Sequence, residues 1–129
     1  MIVGVGIDIV DLGTFRARLS DALIREVFLP DEARYAASRG RPWESYAARF
    51  AAKEAAMKAL GAGLSQGVAW TDIEVTRSES GELALHFAGR AAEAAKAKGV
   101  TKMVMAGQIK PTNRVAPICI NQDIIGNKG

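Results

Sequence analysis

The sequence predicts an α+β fold in which one largely antiparallel sheet packs against a long helix and several shorter ones. Three observations carry that prediction. An apolar run alternating on a period of two opens the chain, an alanine-rich helical segment fills residues 43–60, and further strand-like segments follow it in pairs. With 129 residues the chain fits a single domain, 1–129, large enough to bury a core without cross-links.

Residues 2–10 read as a buried strand, with Val3, Val5, Ile7 and Ile9 on one face and Gly4, Gly6 and Asp8 on the other. The two glycines leave room beside the Asp8 carboxylate for another chain or a ligand. Gly4-Val-Gly6 lacks a third glycine and lies inside the strand, which excludes a dinucleotide fingerprint. Phe15, Leu19, Leu23 and Val27 recur every four residues and predict one helix over 14–28, with Arg16, Arg18 and Arg25 among its polar positions. Pro30 followed by Asp31 and Glu32 suits the first turn of a helix reaching residue 38, and Gly40-Arg-Pro42 makes a break.

Residues 43–60 form the strongest helical segment, stopped by Gly61-Ala-Gly63. Its Tyr46, Phe50, Met57 and Leu60 are candidate core contacts, while Ala47, Ala51 and Ala55 let a neighbour approach closely. Residues 68–76 and 83–87 read as paired strands around Ser78-Glu-Ser-Gly81, and 89–98 as a short helix. Residues 103–109 and 115–120 are two further strands. Pro117 points to an edge position or a distorted ending for the last one, and 121–129 read as a frayed polar tail.

Composition narrows the function. Hydrophobic residues make up 49% and charged residues 24%, as in an ordinary globular protein. A single cysteine, Cys119, excludes an intrachain disulfide, and with His86 as the one histidine it cannot build a zinc cluster. Asp8 interrupts the apolar amino terminus and no basic segment precedes it, so neither a signal peptide nor a membrane span is expected, and the cytoplasm is the expected location. The net charge of +3 favours an anionic partner. Nucleic acid is not expected, because no Lys/Arg block or basic segment interleaved with aromatics occurs.

Three side chains stand out chemically. Glu54 and Lys58 are one turn apart on the long helix, and read either as an exposed ion pair or as a site. Asp8 in a greasy strand needs hydrogen bonds, a cation or a raised pKa, so it is either a buried partner of an Arg or Lys or a ligand. Together, two carboxylates and a lysine would suit Mg²⁺ and a phosphorylated ligand. Spacing alone does not bring Asp8 to Glu54.

Gly6-Ile-Asp-Ile-Val-Asp11, followed by Arg49-Phe-Ala-Ala-Lys-Glu-Ala-Ala-Met-Lys-Ala-Leu-Gly61, resembles the holo-acyl-carrier-protein synthase family of 4′-phosphopantetheinyl transferases. The likeness covers residues 1 to 87, including Trp70-Thr-Asp-Ile-Glu-Val75, and is looser beyond. It implies the transferase fold, fatty acid biosynthesis, and transfer of phosphopantetheine from coenzyme A to a serine of an acyl carrier protein, releasing adenosine 3′,5′-bisphosphate. It also implies a homotrimer with sites between subunits. Asp8 and Glu54 would hold Mg²⁺, Glu54 would help deprotonate the serine, and Lys58 would stabilise the phosphates or protonate the leaving group. Arg49, Lys53 and the backbone of Gly61 would be secondary coenzyme contacts, with Lys53 alternatively structural. Arg16, Arg18 and Arg25 would dock the acidic carrier, although Thr14 stands where the family often has arginine.

The chain departs from the resemblance near its carboxyl end. Where the family usually has S-x-S-H-T, this chain has Gln108-Ile-Lys-Pro-Thr112, so Lys110 and Thr112 are the candidate phosphate contacts there. The alternative is a non-catalytic or assembly protein that keeps the fold.

Overall fold

The computed structural model describes residues 2–8, 10–79, 83–100, 102–106, 109–110, 114–115 and 118–123, with the backbone alone described for 2–8 and from 102 onward. Strand β1 (Ile2–Asp8) leads to Asp11, whose carboxylate accepts the Thr14 amide at 2.9 Å and so caps helix α1 (Leu12–Arg18). Helix α2 (Asp21–Val27) is capped in the same way, the Leu23 amide donating to Ser20 Oγ at 3.1 Å. The expected single helix over 14–28 is therefore two. Leu19 is extended with φ −67° and ψ 129°, and Ser20 offers an acceptor that starts a new helix.

Helix α3 (Pro30–Ala37) begins at proline as expected, and Glu32 accepts the Leu29 amide at 2.9 Å. Helix α4 (Pro42–Leu60) ends at Gly61, which takes the left-handed conformation with φ 69° and ψ 20°. After it, residues 70–72 form a 3-10 turn rather than the expected start of a strand. Asp72 closes that turn by accepting the Ala69 amide on its side chain at 3.0 Å and the Ala88 amide on its carbonyl at 2.8 Å. Strand β2 (Ile73–Arg77) then pairs with β3 (Leu83–Phe87), and helix α5 (Gly89–Ala97) follows.

The carboxyl-terminal strands are shorter and more numerous than the sequence predicts. They are β4 (Lys102–Ala106), β5 (Ile109–Lys110), β6 (Arg114–Val115) and β7 (Ile118–Asp123). The main sheet runs β1-β7-β4-β3-β2, with each adjacent pair antiparallel, and β5 pairs with β6 separately. Strand β7 thus lies inside the sheet, hydrogen-bonded on both sides, and not at an edge. Pro117 itself lies outside the described residues. The polar segment at 121–123, expected to fray, is strand: Asn121 pairs with both Val5 and Val104, so ladder bonds override local polarity.

Helix α4 is the centre of the core. It packs on β1, β7 and β2 and on helices α1 and α3. Its Ala47, Ala51, Ala52, Ala55 and Ala56 are fully buried, and these small side chains allow backbones to approach on more than one face. Larger groups pack along its first half. Phe50 stacks on Trp70 at 5.0 Å and leans on Phe15 at 5.4 Å, while Tyr46 meets Phe28 at 4.8 Å.

Candidate active site

Four ionisable side chains of α4 bear on the site, Arg49, Lys53, Glu54 and Lys58, and the helix sorts them by face. Lys53 is wholly buried. Its ammonium donates to Glu32 Oε1 at 2.8 Å and to the carbonyls of Ile73, Val27 and Trp70 at 2.7, 3.0 and 3.1 Å. Glu32 Oε2 in turn accepts the Val75 amide at 2.8 Å. The pair therefore ties α2, α3, α4 and β2 together through one desolvated charge cluster. Burial lowers the Lys53 pKa below the ordinary lysine value, with the Glu32 carboxylate pulling the other way. Of the two roles open to Lys53, its geometry is the structural one.

Arg49 is also buried, at 4% exposure, but it lies at a wall. Its Nη1 donates to Ser45 Oγ at 2.8 Å and its guanidinium sits 4.5 Å from the Tyr35 ring centroid, while Nε has no hydrogen-bond partner among the described residues. Burial lowers its pKa too. Tyr35, Arg39, Arg41, Ser45, Arg49 and Arg77 line a pocket of about 220 Å³ beside it. Four guanidinium groups face one carboxylate in this lining, Glu44, which Arg41 already holds at 3.3 Å, so the hollow carries an excess of positive charge that suits an anion. Sequence reasoning found Arg49 and missed its companions. The visible signal was Arg39-Gly-Arg41, two cations closely spaced in a loop that the chain otherwise uses only as a break.

Glu54 is half-buried and Lys58 exposed on the last turns of α4, each engaged by a polar neighbour. Strand β1, which ends at Asp8, packs on this helix, and Asp8 pairs in register with Ile118 of β7. The elements carrying the three residues are thus in contact. Gly61 closes the same end of the helix, but its amide already donates to the Lys58 carbonyl at 3.2 Å. Any contact it makes with a ligand must use its carbonyl or its bare Cα. Lys110 lies in the β5–β6 ladder opposite Arg114, and Thr112 lies outside the described residues.

On helices α1 and α2, Arg16, Arg18 and Arg25 are exposed. Among the described residues none of them pairs with a carboxylate. Arg34, Arg41 and Arg90, by contrast, are each tied to an acid three residues away, at 2.6, 3.3 and 3.1 Å.

A family model described as the 4′-phosphopantetheinyl transferase superfamily matches residues 4–119. The chain belongs to that superfamily. Within it the relatives are holo-[acyl-carrier-protein] synthases. One from Koribacter versatilis is 44% identical over 102 residues, covering 77% of this chain and 82% of that protein. The crystal structure of the holo-[acyl-carrier-protein] synthase from Neisseria meningitidis matches with a TM-score of 0.81 at 25% identity, over 95% of this chain and 100% of that one. That of Bacillus anthracis, in complex with coenzyme A (3′,5′-ADP), matches with a TM-score of 0.72 at 28% identity, over 95% and 99%. The phosphopantetheinyl transferase fold and the enzyme class expected from the sequence are both borne out.

Proposed function

We propose that the chain transfers 4′-phosphopantetheine from coenzyme A to a serine of an apo acyl carrier protein in the cytoplasm, releasing adenosine 3′,5′-bisphosphate. The observation that carries this reading is the division of labour on α4. Lys53 is consumed by the core, while Glu54, half-buried, and Lys58, exposed, reach the surface of a helix that packs on the strand ending at Asp8.

Asp8 and Glu54 are two hard oxygen donors, a set that suits Mg²⁺, which keeps waters and completes its shell with phosphate oxygens. When bound, the ion would draw negative charge from the coenzyme A pyrophosphate. Glu54, directly or through a water, takes the proton of the attacking serine. The serine oxygen forms a bond to the pantetheine-bearing phosphorus as the bond from that phosphorus to the bridging oxygen breaks. Lys58 offsets the charge that collects on the departing phosphate, or gives it a proton.

The Arg49 pocket supports a further contact, with a coenzyme phosphate beyond the pyrophosphate, in which the Arg49 guanidinium and its neighbouring arginines draw in the anion. Arg49 and Glu54 point about 140° apart around the helix, so one copy cannot easily present both to one coenzyme. That separation suits a site shared between copies, as in the homotrimer that the family resemblance implies. Lys110 and Thr112 are the candidates for the remaining phosphate contacts. Arg16, Arg18 and Arg25, exposed and without a carboxylate partner among the described residues, suit an acidic carrier. Among the described residues no helix is long and apolar enough to cross a membrane.

Incubation with coenzyme A, Mg²⁺ and an apo carrier should add about 340 Da to the carrier, the mass expected for the group moved in such a transfer. Coenzyme binding with no mass gain would instead support the non-catalytic alternative.

A further inference from the structure

The guanidinium of Arg16 lies over the indole of Trp43, with Cζ 3.7 Å from the ring centroid. Arg16 is on the exposed face of α1, and Trp43, half-buried, is in the first turn of α4. A guanidinium held over an indole is drawn to the ring's face and still has N–H groups for other acceptors. The stack also removes rotamer freedom before any partner arrives, a loss that a binding event would otherwise have to offset. Arg18 and Arg25 have no such support among the described residues.

The place of the stack matters as much as its chemistry. From Trp43 to Glu54 the helix rises about 16 Å and returns to within about 20° of the same direction. An arginine fixed at Trp43 therefore stands a few turns from the proposed reacting centre, within the span of a small protein docked there.

We infer that Trp43 is a positioning residue for carrier docking: it holds Arg16 pre-ordered toward an acidic surface of the acyl carrier protein. This rests on the transferase reading above. A merely structural role would be to tie α1 to α4. The two differ in what they move, because a tie changes stability and every substrate alike, whereas pre-ordering changes affinity for the carrier alone.

The test compares wild type with Trp43→Ala, Trp43→Phe, Arg16→Ala and the Trp43→Ala/Arg16→Ala double variant. It uses calorimetric binding of an apo acyl carrier protein of the bacterial fatty-acid type, and steady-state turnover. Trp43→Ala should weaken carrier binding, and raise the carrier KM, by about five- to ten-fold, the scale of a partly desolvated cation–π contact. The coenzyme A KM and kcat at saturating carrier should stay near wild type, and Trp43→Phe should recover most of the affinity. The double variant should be no worse than Arg16→Ala alone, since Trp43 acts through that arginine. Arg34→Ala, which removes an equal charge from an exposed pair, should leave carrier binding intact.

Unchanged carrier affinity in Trp43→Ala overturns the inference, as does an equal rise in both KM values with a lowered melting temperature, or additive losses in the double variant. Wild-type protein that binds the carrier but never modifies it overturns the transferase reading, while the calorimetric comparison still decides the role of Trp43. Wild-type protein that does not bind the carrier overturns the inference itself.

Discussion

Lys53 and Lys58 stand on one helix, about 140° apart, and show how position rather than residue type decides what a charge is for. Lys53 has no exposed surface and four oxygen acceptors. Lys58 is exposed on the last turn of a helix on which β1, the strand that ends at Asp8, packs. A buried ammonium with its shell filled is a tether, because any movement would strand a charge in a dry interior. An ammonium at the rim can change partners as a phosphate arrives.

The contrast breaks first at the tether. Lys53→Met should destabilise the protein by about 3–5 kcal/mol in urea unfolding, since it leaves the Glu32 carboxylate buried without its cation. Adding Glu32→Gln should restore part of that loss, though not all. Glu32 also accepts the Leu29 and Val75 amides, and each would keep only a weaker neutral acceptor. A single variant with near-wild-type stability would remove Lys53 from the structural class.

Lys58→Ala and Glu54→Gln should do the reverse. Turnover of coenzyme A should fall by about 10²–10³-fold, the usual cost of losing one preorganised electrostatic contact, while unfolding shifts by less than about 1 kcal/mol. Stability loss on the scale of Lys53→Met would show that the rim residues are part of the framework.

The two lysines also mark how far the sequence could be read. Arg49-Phe-Ala-Ala-Lys-Glu-Ala-Ala-Met-Lys spells out a helix, its stop and its chemistry, because propensity, the glycine cap and the motif all agree over a short span. The Glu32 partnership was not legible. Glu32 looks like any first-turn acid until the chain folds back on it. The break between α1 and α2 was present as Ser20 three residues before Leu23, but the four-residue apolar spacing ran across it and masked it. The interior position of β7 was hidden by its own polar end and by Pro117, since sheet order is fixed by pairing that no local pattern records. The arginine pocket was half legible, because its members come from α3, α4, β2 and the loop between the first two.

A smaller effect sharpens the tether through pH. The Lys53 pKa is lowered by burial from the ordinary 10.5, against the pull of Glu32. Between its folded value and 10.5 the unfolded chain holds the proton and the folded one does not, so this group makes stability rise with pH in that window. Below the window both states are protonated and the group adds no slope. The stability gap between wild type and Lys53→Met, followed by urea unfolding at alkaline pH, should therefore widen as pH climbs through the window, by at most about 1.4 kcal/mol per unit. A narrowing gap would mean that Glu32 outweighs desolvation and that the tether is a net-favourable ion pair.

The smallest effect tests the rim by way of its backbone. Gly61 holds φ 69° so that the Gly61 and Ala62 amides can close the helix on the Lys58 and Met57 carbonyls. A Cβ added there would come no nearer than 3.4 Å to Lys98 Nζ, the mobile end of a flexible chain, so space is not the obstacle. Gly61→Ala should cost about 1–2 kcal/mol from the left-handed conformation alone. If Gly61 serves only as a cap, the coenzyme A KM should follow the wild type once the protein is folded. A KM rise out of proportion to that stability loss would mean that coenzyme A approaches the bare Cα, and would extend the reactive rim from Lys58 into the turn that follows it.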